Sequence, residues 1–178
     1  MALRSDLTAP SDADQRASML FDELRAPVCR YVISLGLSPH DADEVAQETF
    51  LRLHRHLAER GARDEDNLRG WIFRVAQNLA HDQRRRAVPR AADSLEDSNE
   101  ARHAVDTRDG PEQQLLQDER FARLHAAMQA LPPRQQQCLR LRAEGLRYRE
   151  IAEVLGVAVS TVAETIHQAL ARLGKAVQ

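Results

Sequence analysis

The stretch Asp-Ala-Asp-Glu-Val-Ala-Gln-Glu-Thr-Phe-Leu-Arg-Leu-His-Arg-His-Leu, residues 41–57, decides the predicted fold. Its apolar residues recur at the i, i+3, i+4, i+7 spacing of an amphipathic helix, so one stripe should be buried against neighbouring helices. The opposite stripe carries carboxylates and Leu51, an apolar residue that cannot also point at the core. A leucine framed by carboxylates indicates a docking surface for a protein with a basic, partly apolar groove, and the alternative is a solvated acidic face with one exposed leucine. This docking face comprises Asp43, Glu44, Gln47, Glu48, Leu51 and Arg55.

The composition favours an all-α protein. Aromatic residues make up 4% of the 178 residues, whereas alanine, leucine, arginine, glutamate and glutamine are abundant, which favours helices over sheets. The length permits one domain or two small ones. A net charge of −2 argues against a protein that binds nucleic acid avidly by itself, because such affinity comes from many Lys and Arg contacts with phosphates. Any DNA contact should therefore be local or assisted by a partner.

The residue types that carry catalysis or metal binding are scattered along the chain. Cys29 and Cys138 lie far apart in helical patterns and are predicted to be reduced core residues of a cytosolic protein. The seven histidines do not converge, and the sequence has no nucleophile motif, phosphate-binding glycine loop or metal-ligand spacing. We therefore expect no catalytic residue, no cofactor, no metal site and no enzyme activity. The sequence has no apolar run that could span a bilayer and no signal-peptide core, which predicts a soluble cytoplasmic protein.

The first domain is predicted to span residues 17–86, after a mobile polar tail of residues 1–16. Its first helix should cover residues 17–35. Ser38 is the expected N-cap of the second helix, and Pro39 suits the first helical position. The carboxylates of this second helix have no obvious base or cation beside them in the sequence.

The third helix has one apolar and one basic side. Loop 59–66 precedes it, Asn67 is expected to cap it, and Trp71 belongs to its apolar stripe. On the other side the ring of Phe73 alternates with cations, which is typical of single-stranded DNA binding because cations follow phosphates while a ring stacks on an unpaired base. The alternatives are packing of Phe73 against another helix and a solvated basic helix end. The candidate residues are Arg69, Phe73, Gln77 and Arg84 on one outer face, with Arg74, Asn78, His81 and Arg85 beside them.

Residues 87–110 are polar, small and acidic without sustained periodicity, which predicts a flexible linker. The second domain, residues 111–178, ends in two short helical patterns joined by a turn that starts with Gly156, and this arrangement is typical of a helix-turn-helix. Leu155 and Leu170 are among the residues expected to pack this pair together. The second helix of the pair offers polar side chains that can reach phosphates or base edges. They are Ser160, Thr161, Glu164, Thr165 and Gln168.

Three parts of the chain resemble the extracytoplasmic-function sigma factors of bacteria. Residues 41–52 resemble the helix with which that family binds the clamp of core RNA polymerase. Residues 67–86 resemble the helix that recognises and melts the minus-ten promoter element. The series Leu131-Pro132-Pro133-Arg134-Gln135, followed by residues 144–152, resembles the domain that reads the minus-thirty-five element and touches the polymerase flap.

The resemblance implies a sigma factor whose docking face binds core RNA polymerase and whose two polar helix surfaces contact promoter DNA. It also implies that the linker runs through the polymerase channel. Members of the family are often held by an anti-sigma factor, which makes such a protein a candidate partner. Two other functions fit the residues: a helix-turn-helix regulator with an N-terminal dimerisation or sensing bundle, and a helical protein-interaction module without DNA contact.

The predicted recognition helix departs from the family pattern. Family members usually carry Lys or Arg at several positions where this chain has Ala163, Glu164, Thr165 and Gln168. Because the loss of phosphate contacts lowers affinity steeply, we expect weak binding of the upstream element by this domain alone. Tethering to polymerase would compensate, since a linked second site needs little intrinsic affinity.

Overall fold

The computed structural model describes residues 11–60, 67–87 and 111–177, and these ranges form helices joined by short turns. The chain divides into two compact units, Met1–Val88 and Pro89–Gln178. This confirms the predicted all-α fold of two small helical domains, the second with a helix-turn-helix. Nearly all of the predicted linker lies outside the described residues, although its first residue, Ala87, still belongs to a helix. The described helices are α1 Asp12–Ser34, α2 Pro39–Arg60, α3 Leu68–Ala87, α4 Pro111–Gln129, α5 Pro133–Ala143, α6 Tyr148–Leu155 and α7 Val159–Val177.

Helix α1 begins earlier than the sequence pattern predicted. Its N-cap is Ser11, whose hydroxyl oxygen accepts from the Asp14 amide at 3.2 Å, while the Asp14 carboxylate accepts from the Ser11 amide at 2.9 Å. This capping box satisfies two backbone donors that a helix start leaves without partners. The predicted tail is therefore wrong for residues 12–16, which are helical, and its residues 1–10 lie outside the described ranges. Apolar periodicity missed the first turns because their residues are polar.

The first unit is a bundle in which α2 runs antiparallel to α1 and α3. Leu24 and Val28 of α1, Leu53 of α2 and Ile72 of α3 are fully buried and form the centre of its core. Burial of each such side chain stabilises the fold by about 1.5–3 kcal/mol relative to leaving it exposed. The apolar stripe of the stretch at 41–57 faces this core as predicted, so the docking face is turned to the opposite side of α2.

Local capping chemistry sets the starts of α2 and α3. The Asp41 amide donates to Ser38 Oγ at 3.1 Å, which confirms Ser38 as the N-cap with Pro39 at the first helical position. The Gly70 amide donates to Asn67 Oδ1 at 3.1 Å, which confirms the cap of α3. Gly70 suits this place because a Cβ there would lie 2.8 Å from the Asn67 side chain. The charged loop predicted before Asn67 lies mostly outside the described residues.

The second unit ends in the helix-turn-helix. Helices α6 and α7 meet at 103° across a turn in which Gly156 takes a left-handed φ of 64°, a conformation that favours glycine. Leu141 of α5, Ile151 of α6 and Val162 of α7 are fully buried and hold the three helices together. The predicted turn with glycine at its first position is therefore confirmed.

Two leucines of this pair do not lie where they were predicted. Leu170 is 56% exposed, and Ala169 is fully buried in its place, because α7 is rotated so that Val162, Ile166 and Ala169 face the core. Leu155 is half-buried. The prediction that Leu170 locks the helix pair is wrong, since apolar residues at adjacent positions let a pattern fit two rotations of one helix.

No single helix in the described ranges is long and apolar enough to cross a membrane. Taken together, the bent pair Tyr148–Leu155 and Val159–Lys175 has the length and composition of a membrane-spanning segment. These are the two helices of the helix-turn-helix.

Candidate functional site

Leu51 stands out from α2 with 54% of its surface exposed, although the other side of the same helix is almost fully buried. Glu44, Gln47 and Arg55 are exposed around it, and Asp43 and Glu48 are half-exposed. An exposed leucine between carboxylates is therefore a feature of the folded surface, as the helical spacing predicted. The exposed part of Leu51 contributes little to the stability of the first unit and is available to a binding partner.

The carboxylates of the docking face have cationic neighbours. Arg25 of α1 bonds Asp43 at 3.0 Å, and along α2 the Arg52 guanidinium bonds Glu48 at 2.7 Å. His40 lies 3.5 Å from Glu44 and forms an ion pair when protonated. The expectation that these carboxylates lack a nearby cation is wrong, because helical spacing and the packing of α1 bring cations to them. Such half-exposed pairs contribute little stability, so a binding partner can exchange them at low cost.

Cys29 lies beneath this face and is half-buried rather than a core residue. Its thiol donates to Asp43 Oδ1 at 3.6 Å. Burial, with a further contribution from the Asp43 carboxylate, raises the pKa of the Cys29 thiol. Burial also raises the pKa of the Cys138 thiol, which is buried as predicted. Both thiols are free, and both stay protonated at neutral pH.

One side of α3 packs against α1. Arg69 pairs with Glu23 at 3.1 Å, and Arg84 donates to the Leu35 carbonyl oxygen at 2.7 Å. Between them Phe73 is fully buried, with its ring centroid 5.6 Å from that of Tyr31, and Gln77 accepts from the Tyr31 hydroxyl at 2.9 Å. We call this set the α1-facing side; it comprises Arg69, Phe73, Gln77 and Arg84.

The α1-facing side is the surface that the sequence predicted as the outer DNA-binding face, and this prediction is wrong for Phe73, whereas Arg84 at the end of that side is exposed. Phe73 has no exposed surface on which a base could stack. The polar residues beside it anchor α3 to α1 through side-chain bonds. The physical reason is that α1 covers this side of α3, so the apolar stripe of α3 is wider than the one predicted from α3 alone.

The remaining candidates on α3 form one exposed stripe. Arg74, Asn78, His81 and Arg85 follow the i, i+4, i+7, i+11 spacing and all are exposed. Arg85 bonds Asp82 at 2.9 Å in an exposed pair. We call these four residues the basic stripe. It has arginines and an amide that can follow phosphates and base edges, and its one aromatic ring is the imidazole of His81.

Trp71 occupies a different place from the core position predicted for it. It is half-buried, and its ring stacks on His56 of α2 with centroids 4.8 Å apart and planes at 22°. This stack joins the C-terminal part of α2, which precedes residues 61–66 in the chain, to the start of α3, which follows them. Helical periodicity carries no signal for this contact, because the two rings belong to different helices.

The outer surface of α7 carries most of the residues predicted to reach DNA. Ser160, Thr161, Glu164 and Gln168 are exposed. Thr165 is half-buried, and its hydroxyl donates to the Thr161 carbonyl oxygen at 2.7 Å, so this hydroxyl is engaged within the helix. The recognition surface of α7 therefore consists of hydroxyls, one carboxylate and one amide without a cation among them.

Sequence reasoning did not single out the cations at the start of α6. Arg147, Tyr148 and Arg149 are exposed at the start of α6, and the Arg149 side chain is 77% exposed while lying 4.0 Å from Glu153. In a helix-turn-helix the first helix crosses the DNA backbone, so its exposed cations are placed for phosphates. Their position just before the first helix of the pair is the signal that could have found them.

Comparison with known proteins decides the family. The family model for Sigma-70 region 2 matches residues 20–89, and the model for Sigma-70, region 4 matches residues 121–173. The RNA polymerase sigma-H factor of Pseudomonas aeruginosa is 36% identical over 148 residues, which cover 78% of this chain and 76% of that protein. The ECF RNA polymerase sigma-E factor of Escherichia coli is 30% identical over 163 residues, which cover 85% of this chain and 78% of the relative.

The chain belongs to the extracytoplasmic-function sigma factors. The ECF RNA polymerase sigma factor SigE of Mycolicibacterium smegmatis is also similar, 35% identical over 169 residues, and the match spans 90% of this chain but only 63% of that longer protein. The regulator and interaction-module alternatives are not favoured by these relatives.

Solved structures share the fold of this sigma factor. The sigma factor RpoE from Bartonella quintana, solved with the anti-sigma factor NepR, superposes with a TM-score of 0.62 at 22% identity and covers 93% of this chain and 96% of its own. CnrH, solved with the cytosolic domain of CnrY, gives a TM-score of 0.55 at 24% identity, with 92% of each chain covered. Region 2 of the sigma factor thus contains the docking face and the basic stripe, and region 4 contains α7.

Within the ranges that the structure describes, no group of His, Cys, Asp and Glu could hold a metal ion.

Proposed function

We propose that this sigma factor binds core RNA polymerase through the docking face of α2, opens promoter DNA with the basic stripe of α3, and places α7 on the upstream promoter element. The protein acts in the cytoplasm and catalyses no reaction itself; nucleotide addition stays with the polymerase. Polymerase contacts would be made to the clamp by the first unit and to the flap by the second. The proposal rests chiefly on Leu51, which is 54% exposed among carboxylates on a helix whose opposite side is buried.

The docking face has the properties of an interface that forms with a basic partner. Leu51 supplies apolar area, while Glu44, Asp43 and Glu48 supply charges that fix orientation and speed association. Their present cations lie on this chain's own surface and range from half-exposed to mostly exposed, so replacement by polymerase arginines or lysines requires little free energy. An acidic face is the expected complement to a cationic groove.

The basic stripe supports DNA contact only with assistance. Its two arginines and one histidine offer few phosphate contacts, and the whole chain carries a net charge of −2. Attachment to polymerase would raise the effective concentration of promoter DNA near α3 and α7, which compensates for weak intrinsic affinity. This explains how a near-neutral recognition helix serves in a promoter-binding protein.

An anti-sigma factor is proposed as a further partner. RpoE of Bartonella quintana and CnrH were each solved with a second protein, an anti-sigma factor in the first case. In this chain an inhibitor of that kind would act by covering the docking face, because Leu51 can contact only one partner at a time.

The proposed function is tested by binding of purified, fluorescently labelled full-length protein to core polymerase. Leu51→Ala should weaken binding about tenfold, and Glu48→Lys should weaken it further, because a charge is reversed at the centre of the interface. The matched controls are Met19→Ala and Asp22→Lys, which change an apolar residue that is 72% exposed and an exposed acid on α1. The controls should bind like the unaltered protein.

Two results would contradict the proposal. The first is failure of the unaltered protein to bind core polymerase at micromolar concentration. The second is equal binding by the docking-face variants and by the α1 controls, which would show that another surface makes the contact.

A further inference from the structure

Three polar residues on one stripe of α7 are joined to a residue of α5. Gln168 Nε2 donates to Glu164 Oε1 at 3.1 Å, and Gln135 Nε2 donates to Gln168 Oε1 at 3.4 Å. Arg172 donates in turn to Gln135 Oε1 at 3.3 Å. Gln135 is only 6% exposed, whereas Glu164, Gln168 and Arg172 on α7 are exposed. A buried amide therefore holds Gln168 directly, and Glu164 through Gln168.

Charged groups at both ends fix the direction of this hydrogen-bond chain. Arg172 can only donate, so the atom of Gln135 that faces it must be the carbonyl oxygen. The amide nitrogen of Gln135 then faces Gln168, which must present its oxygen. The nitrogen of Gln168 is left to face Glu164, an ionised carboxylate that can only accept. Each amide thus has one orientation that satisfies all its neighbours.

The chain leaves defined hydrogen-bonding capacity on the outer surface. Gln168 keeps one N–H that can donate and one oxygen lone pair that can accept. In the major groove these match adenine N7, which accepts, and the adenine N6 amino group, which donates. Glu164 keeps acceptor capacity, which suits the N4 amino group of cytosine. The two residues are four apart, or about 6 Å along the helix axis, and this spans about two base steps of 3.4 Å.

We propose that Gln135 is a positioning residue for promoter reading. It fixes Gln168 to read an adenine and, through Gln168, fixes Glu164 to read a cytosine within about two base steps of it in the upstream element. The inference rests on the proposed function of α7. Fixing the side chains before binding lowers the entropy that must be lost on the DNA, which matters because no cation stands among the predicted base-reading residues 160–168 to add affinity.

The test uses holoenzyme reconstituted from the full-length protein and core polymerase, with a promoter library randomised across the upstream element. The readout is the base preference at each position, from sequencing of the transcripts. Unaltered protein should prefer cytosine at one position and adenine at another nearby. Gln135→Met keeps the length of a buried side chain but removes its amide, and should reduce both preferences by about fivefold or more.

A merely structural role is separated from positioning by three comparisons. Gln137→Met makes the same change at a half-buried glutamine of the same helix, and should leave both preferences intact. Gln168→Ala should remove the adenine preference and weaken the cytosine preference, and Gln135→Met added to it should weaken the cytosine preference no further, because Gln135 acts on Glu164 through Gln168. A destabilised second unit would instead lower transcription from all library members alike.

The outcomes distinguish the two proposals. If unaltered protein supports no promoter-specific transcription, the proposed function fails. If it transcribes with a clear upstream preference that Gln135→Met leaves unchanged, the positioning role is overturned while the sigma function stands. Preferences for bases other than cytosine and adenine would overturn the assigned reading by Glu164 and Gln168.

Discussion

The two sides of α3 have similar compositions and opposite roles. The α1-facing side has two arginines, a glutamine and a phenylalanine, and the basic stripe has two arginines, an asparagine and a histidine. On the first side Phe73 is fully buried and Arg84, although exposed, donates to the end of α1, whereas on the second side all four residues are exposed to solvent. The comparison teaches that a cation on a helix indicates DNA binding only after the neighbouring helices have been placed.

The largest expected effect comes from Phe73→Ala. It removes a fully buried ring packed on Tyr31, so the free energy of unfolding of the first unit should fall by about 3–5 kcal/mol. Urea unfolding followed by circular dichroism measures this loss. Leu51→Ala, at an exposed leucine in the same unit, is the control and should change stability by less than about 0.5 kcal/mol. A stable Phe73→Ala protein that has lost only promoter opening would show that the ring faces DNA.

The second prediction concerns the basic stripe. The double change Arg74→Ala and Arg85→Ala should leave the unfolding free energy nearly unaltered, because both side chains are exposed. It should weaken binding of holoenzyme to a premelted promoter. The slope of log affinity against log salt concentration should become shallower by about 1.4, because each of the two lost phosphate contacts with a single strand contributes about 0.7. An unchanged slope in a fluorescence titration at several salt concentrations would remove the basic stripe from the DNA interface.

A smaller effect is expected where α3 caps α1. Arg84→Ala removes the donor that Leu35 accepts from, and should cost about 1 kcal/mol of stability with little change in the salt slope of promoter binding. Arg86→Ala is the matched control, an exposed arginine in the same last turn, and should be close to neutral in stability. Equal losses in the two variants would mean that the bond to the Leu35 carbonyl contributes nothing.

The smallest effect depends on pH. The hydrogen bond from His54, with further bonds from Ser11, lowers the pKa of Asp14 from 3.8 to about 2. A carboxylate with a lowered pKa in the folded state stabilises the fold above its unfolded pKa, and this contribution is lost as pH falls from about 4 to 2. The stability difference between the unaltered protein and Asp14→Asn should therefore shrink over that range in thermal melts. His54 Nε2 and Asp14 Oδ1 lie 2.6 Å apart. A stability difference that stays constant with pH would contradict the pairing of these two side chains.

Most local features of the fold could be predicted because they depend on nearby residues. The caps at Ser38 and Asn67, the glycine turn at Gly156 and the outward direction of Leu51 all follow from short-range spacing and backbone sterics. The start of α1 was missed, although Ser11 and Asp14 have the spacing of a capping box. The first turns of α1 are polar, so apolar periodicity does not indicate where this helix begins.

The sequence by itself determined the seven-helix order of the described ranges, the family, and the placing of an exposed leucine among carboxylates. Only the tertiary structure decided that Phe73 belongs to the core, that Leu170 does not, and that Gln135 lies under Gln168. The physical reason is that helical periodicity records how residues of one helix are arranged around its own axis. Which sides become buried depends on the helices that pack against it, and those contacts join residues that are far apart along the chain.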